Sequence, residues 1–159
     1  MTTAFERHDH DICAGEALAR ADQLAEARGL RLTPVRRRVL EILLERHRAL
    51  GAYEVLERLA AEGLGKQPPV AYRALEFLVE NGLAHRVQRL NAFTACQNHH
   101  PDGEAPAFLI CRTCQRVAEM GAERFRAELG DVAKSAGFTV ERTTIEALGL
   151  CAGCAEADA

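Results

Sequence analysis

PPVAYRALEFLVENG at 68–82, followed by LAHRVQRLNAFTAC at 83–96, decides how the first half of this chain is read. Pro68-Pro69 precedes a predicted helix over Val70–Asn81, which Gly82 ends. Two short strands follow, near Ala84–Leu90 and Phe93–Cys96, with a turn at Asn91-Ala92. Asn-Ala is a weaker hairpin signal than Asn-Gly. Upstream, Glu16–Arg28 reads as a helix stopped by Gly29. Thr33-Pro34 opens a second, with Thr as cap and Pro in the first turn. A third runs from Tyr53 to Ala61 on an apolar face of Val55, Leu56 and Leu59. Helices followed by a two-stranded hairpin form the layout of a winged helix-turn-helix, whose last helix enters the DNA major groove.

The polar stretch Gln97–Pro106 reads as a linker. Beyond it, Ala107–Cys111 and Arg116–Met120 read as strands, Glu123–Ala136 as an amphipathic helix, and Phe138–Leu148 as a strand. The expected fold class is therefore α+β. A winged-helix domain spans 1–96, a hinge 97–106 and a C-terminal α/β domain 107–159. Charge divides along the same line. Residues 28–89 hold twelve Lys/Arg against seven Asp/Glu; residues 97–159 hold six against ten. A basic helical half joined to an acidic half suggests that the first half meets an anion. The predicted recognition helix carries Tyr72 and Arg73 near its N-terminal end, and an Arg fork suits guanine O6 and N7. Arg36, Arg37, Arg38 and Lys66 are expected at phosphates, and Tyr53 at the backbone or a thymine methyl. The plainer alternative is a helical bundle with a solvated basic face.

Hydrophobic residues make up 48% of the 159, enough for a core. The chain has neither an apolar N-terminal run nor a long uncharged span, so a signal peptide and a membrane helix are not expected, and a cytoplasmic location is. In that compartment thiols stay reduced. CRTC at 111–114 and CAGC at 151–154 then read as four thiolates for one structural zinc: Cys111, Cys114, Cys151 and Cys154. A thioredoxin-like centre would need one pair opening a helix after a strand, and neither pair clearly does so. His85, Cys96, His99, His100 and Glu119 flank the linker and could form a second site across the hinge. Taken singly, each also reads as an ordinary surface or core residue. His47 reads as a helix C-terminal histidine, favourable against the dipole. HDHDIC at 8–13 gathers His8, His10 and Cys13, where a tail with adventitious binding is the plainer explanation. No nucleophile with a paired base and no phosphate loop suggests an enzyme.

RLTPVRRRVLEIL, GAYEVLERL, AYRALEFLVENGLAHRV, FLICRTCQRVAEM and GLCAGC together resemble the ferric uptake regulator family of metal-dependent repressors, and within it the zinc-uptake subgroup. The resemblance runs from about Leu30 to Cys154. It implies a homodimer, a structural four-cysteine zinc, a regulatory zinc near the hinge (two Zn2+ per chain), and repression of zinc-uptake genes at AT-rich palindromic double-stranded DNA. Tyr53 and Arg73 match the family's DNA contacts. His85, Cys96 and Glu119 match its zinc-sensing ligands. Iron-sensing members carry a His-rich run before the first cysteine pair; here that place reads APAFLIC, and a thiolate ligand favours zinc over ferrous iron. An iron- or peroxide-sensing regulator is the nearest alternative. Two departures stand out. Glu104 occupies the place of the usual fourth ligand, so His99 or His100, or Glu104 itself, is expected to step in. Val70 replaces a common Thr in the recognition helix.

Overall fold

A computed structural model describes residues 4–98 and 106–157. α1 (His10–Arg28) begins six residues before its expected start, because Asp9 caps it, accepting from the Asp11 and Ile12 N–H groups. Gly29, at φ 63°, ends it. α1 buries Ala17, Ala21 and Ala25, small side chains that let it lie close against the core. α2 (Pro34–Leu44) is capped by Thr33 as read. α3 (Ala52–Ala61) is started by Glu54, whose carboxylate reaches back to the Gly51 N–H at 2.9 Å. α4 (Pro68–Glu80) starts two residues earlier than expected: both prolines lie in the first turn, where a missing N–H costs nothing. Gly65, at φ 147°, sits under this turn, and a Cβ there would lie 2.8 Å from Val70 Cγ1. Leu40, Leu43, Val55, Leu59, Leu75 and Leu78 close the shared core at 1% exposure or less.

β1 (Ala84–Val87) and β2 (Ala92–Ala95) pair antiparallel, His85 opposite Thr94. β1 is shorter than read. Gln88–Leu90 form a 3-10 turn, and Asn91 adopts the left-handed region at φ 46°, which Asn tolerates. The second sheet has the order β4-β3-β5, with β3 (Ala107–Cys111) antiparallel to β4 (Val117–Met120) and parallel to β5 (Ile145–Gly149). α5 (Glu123–Ser135) lies in the crossover. The expected strand from Phe138 is cut to five residues. Its partner β3 begins only after Pro106, which has no N–H to donate, so pairing starts at Ala107 opposite Ile145. A short helix that the sequence reading did not anticipate, α6 (Ala152–Ala157), follows Cys151.

The two halves are packed together. Val87 and Ala92 of the wing, Ala49 of the α2–α3 connection, and Phe108, Ile110 and Val117 of the second sheet form one buried cluster. The Glu146 carboxylate accepts from the N–H groups of Gln88 and Arg89 at 2.6 and 2.8 Å. The Val117 N–H donates to the His47 carbonyl at 2.9 Å.

Candidate metal centres and nucleic-acid interface

β3 ends on Cys111, and a tight turn with Gln115 at φ 59° returns the chain into β4, leaving Cys114 at the turn. β5 runs parallel to β3, so its exit delivers Cys151 and Cys154 to the same end of the sheet. One sulfur from each of the four lies within 4.8 Å of the others. Cys114 Sγ and Cys151 Sγ are 3.8 Å apart, and the Cys151 N–H donates to Cys111 Sγ at 3.4 Å. Burial pushes the Cys111 thiol up, but backbone N–H groups of Cys114, Cys151 and Thr113 outweigh it and bring it down to about 6. Backbone donors aimed at a sulfur stabilise a thiolate, the form that binds metal. Four sulfurs at this spacing suit a closed tetrahedral zinc site. The second pair does open a helix, contrary to the sequence reading. Yet α6 is six residues long, and the sulfurs of both pairs converge, which a single-pair redox centre does not require.

A second cluster joins the wing to the other sheet. His85 on β1, Cys96 just past β2 and Glu119 on β4 each offer a ligand atom within 4.8 Å of the others. His85 Nε2 stands 3.9 Å from one Glu119 oxygen, and Cys96 Sγ 3.8 Å from the other. The same carboxylate accepts from the backbone N–H groups of Gln97 (3.1 Å) and Asn98 (3.3 Å). Glu119 is 7% exposed, a buried acid held by donors from the far side of the hinge. Burial first, and then the Glu119 charge, push the Cys96 thiol up to about 12. Its proton is donated to the Asn98 carbonyl at 2.8 Å. Imidazole, thiolate and carboxylate are together a zinc donor set. The residues expected to complete it, His99, His100 and Glu104, lie outside the described residues. Gln97 was missed in the sequence: a glutamine in a polar stretch carries no signal that its backbone will anchor a buried acid.

Along the expected DNA-facing side, Tyr53 (65% exposed), Tyr72 (41%), Arg73 and Lys66 are all open to solvent. The arginines of α2, expected at phosphates, already have partners within the fold. Arg36 is laid over the Phe77 ring, 3.6 Å from its centroid, and donates to the Arg31 carbonyl. Arg37 is paired with Asp22 and Glu41, and Arg38 with Glu62, Glu41 and Glu45. Guanidiniums already held by carboxylates are spent on packing α2 against α1 and the end of α3. The basic excess of the helical half therefore overstates its free positive charge. His47 also differs from its reading. It lies in the connection beyond α2, beside His8 and His10. Burial first, and then the neighbouring histidines, lower its pKa to about 4.

The family model described as "Ferric uptake regulator family" matches residues 27–148. A zinc uptake regulation protein of Escherichia coli is 36% identical over 144 residues, covering 91% of this chain and 84% of that protein. A solved zinc uptake regulator complexed with zinc and DNA aligns at TM-score 0.82 and 35% identity, over 91% of this chain and 97% of the other. Holo XcZur aligns at TM-score 0.76 and 37% identity, over 87% and 96% of the two chains. Its apo form, at 38% identity and 89% and 97% coverage, aligns only at 0.51. With sequence identity almost unchanged, this chain superposes better on the holo form than on the apo form.

Proposed function

Because this chain belongs to the ferric uptake regulator family, we propose that it is a zinc-responsive, DNA-binding transcriptional repressor of zinc-uptake genes. It acts as a regulator and not as an enzyme. The observation that carries this reading is the Glu119 carboxylate. It faces His85 and Cys96 while accepting backbone hydrogen bonds from Gln97 and Asn98. The donor set thus joins the wing to the second sheet, with the start of the hinge bonded to its carboxylate, and filling it fixes the angle between the halves. A metal at Cys96 displaces the thiol proton and frees the Asn98 carbonyl. Occupancy is thereby transmitted into the start of the hinge. To move the population from mostly open to mostly closed, zinc must favour the closed form by about 5 kcal/mol.

Two zinc ions per chain follow from this reading: a structural one at Cys111, Cys114, Cys151 and Cys154, and a sensed one at His85, Cys96 and Glu119, completed from His99, His100 or Glu104. The iron- and peroxide-sensing alternative is disfavoured by the thiolate in the hinge set. The three functional regions are residues 1–96, 97–106 and 107–159. The chain works as a homodimer. Phe125, Leu129 and Val132 leave an exposed apolar stripe along α5, and β5 is an edge strand carrying exposed Leu148. A two-fold dimer presents two recognition helices, which suits an AT-rich palindromic operator. Tyr53, Tyr72, Arg73 and Lys66 contact it, with Arg36 contributing only the N–H groups its packing leaves free. The protein acts in the cytoplasm; among the described residues no helix is long and apolar enough to cross a membrane. Cys96→Ser tests the reading in an electrophoretic mobility assay. The variant is expected to remain a folded dimer that no longer binds DNA when zinc is added. Unchanged zinc-dependent binding would remove Cys96 from the sensor.

A further inference from the structure

Four potential metal ligands, none of them in the two clusters described above, gather at the opposite end of α1 from its glycine stop. His8 lies two residues before the helix, His10 is its first residue, and Cys13 is one turn on, on the same face. His47 approaches from the α2–α3 connection. One ligand atom from each lies within 4.8 Å of the other three. Three imidazole rings crowd one point, with centroids 4.6 Å apart for His10 and His47, 4.8 Å for His8 and His47, and 6.0 Å for His8 and His10. Both ring nitrogens of His10 are buried without a hydrogen-bond partner among the described residues. Buried polar atoms left unpaired are costly and rare, and an ion would satisfy one of these two.

The surrounding hydrogen bonds orient the rings for the same purpose. His8 Nδ1 is 3.0 Å from the Glu6 carbonyl, so it carries the proton and leaves Nε2 bare. The Gln97 side-chain NH2 donates to His47 Nδ1 at 2.6 Å, so the proton of the neutral His47 ring sits on Nε2. His47 Nε2–H then donates to the bare His8 Nε2 at 2.8 Å, and Cys13 Sγ lies 3.9 Å from His47 Nε2. A metal ion bound between the rings would take the place of that one proton. Around a tetrahedral zinc, with Zn–N of about 2.0–2.1 Å, ligand nitrogens stand about 3.3 Å apart, so only small shifts are needed. Arg116 and the positive end of α1 oppose a cation here. A Cys13 thiolate, Asp9 and Asp11 offset them.

We propose that His8, His10, Cys13 and His47 form a third metal site in each chain, a three-imidazole, one-thiolate site for Zn2+. The ion ties the start of α1 to the α2–α3 connection. That connection is itself bonded to β4 through the His47 carbonyl, and Gln97 links His47 to Glu119. The site stands independently of the sensing role given to the hinge cluster, because the test counts a difference of one ion whatever the other sites hold.

The test equilibrates the full-length protein in a zinc buffer, passes it through a desalting column, and counts metal per chain by mass spectrometry. Wild type is compared with His10→Ala, Cys13→Ser and the milder His8→Gln. The wild type should retain one more zinc per chain than His10→Ala and Cys13→Ser, while Cys96→Ser also loses one but keeps the Cys13 thiol protected from alkylation by zinc. If His10→Ala misfolds, His8→Gln decides: its zinc should leave at least tenfold faster into a chelator than the corresponding wild-type ion. Cobalt substitution should give the wild type a tetrahedral visible band that loses a one-thiolate contribution in Cys13→Ser. Equal metal content in the wild type and all three variants, or a Cys13 alkylated at the same rate with and without zinc, would overturn the proposal. Loss of zinc from none of the four variants except Cys96→Ser would leave the hinge reading standing and this one refuted.

Discussion

Glu119→Gln is the substitution that most directly separates the carboxylate's charge from its shape. The wild-type side chain spends one oxygen on each of two backbone donors, Gln97 at 3.1 Å and Asn98 at 3.3 Å. Glutamine fills the same space but has only one acceptor, so one of those N–H groups must face an NH2. Leaving one buried donor unpaired costs about 1–3 kcal/mol, and turning the other charge-assisted bond into a neutral one costs about 1 kcal/mol more. The start of the hinge should therefore open about 30- to 900-fold more often, taking about 2–4 kcal/mol together. Amide hydrogen exchange at residues 97 and 98, followed in zinc-limited buffer, reads this directly. Exchange in the helical core around Leu75 should not change. In the same variant, zinc-dependent DNA binding should be lost at zinc levels that saturate the wild type. Amides at 97 and 98 that exchange at the wild-type rate would mean that Glu119 does not anchor the hinge, and the coupling of metal to domain angle would lose its physical basis.

Other substitutions probe other parts of the molecule. Cys111→Ser removes the most deeply buried of the four converging thiols, and circular dichroism should record loss of the C-terminal fold together with one zinc per chain. Arg73→Ala should lower the preference for the operator over scrambled DNA by about 1–3 kcal/mol in a competition titration. Leu75→Ala empties a fully buried site in α4 and should cost about 2–5 kcal/mol in urea unfolding. Zinc binding at Cys96 displaces a proton from a thiol held at about 12, so apparent affinity should rise about tenfold per pH unit between pH 6 and 8 from this group alone. His47 is neutral in the fold, with its pKa lowered from 6.5 to about 4. The metal-free protein should therefore keep its stability at neutral pH and lose about 1–2 kcal/mol as pH falls from about 6.5 to 4, the figure being reduced for this half-exposed ring.

The helical half is legible because its signals are local. Thr33-Pro34 and Gly29 act through the turn they occupy, and Leu75 or Val55 need only a helical period to face inward. The second sheet was harder to read. The extent of β5 depends on where β3 starts, and that depends on Pro106, forty residues away. The cysteine pairs were readable because each spacing fixes two ligands by itself. His47 was not: as a single histidine beyond a helix, it meets His8, His10 and Cys13 only through tertiary packing. The partners of the α2 arginines were not legible for a related reason. A sequence displays Arg37 and Arg38 as charge, and only the fold brings Asp22 and Glu62 to them.

The most direct test is fluorescence anisotropy of a palindromic AT-rich duplex, with a scrambled duplex alongside, as free zinc is raised in a metal buffer. A zinc repressor should bind the palindrome tightly only above a threshold of free zinc, and the scrambled duplex weakly throughout. Binding that ignores zinc, or that is equal on both duplexes, would mean that the cluster of His85, Cys96 and Glu119 is not a zinc switch for reading DNA.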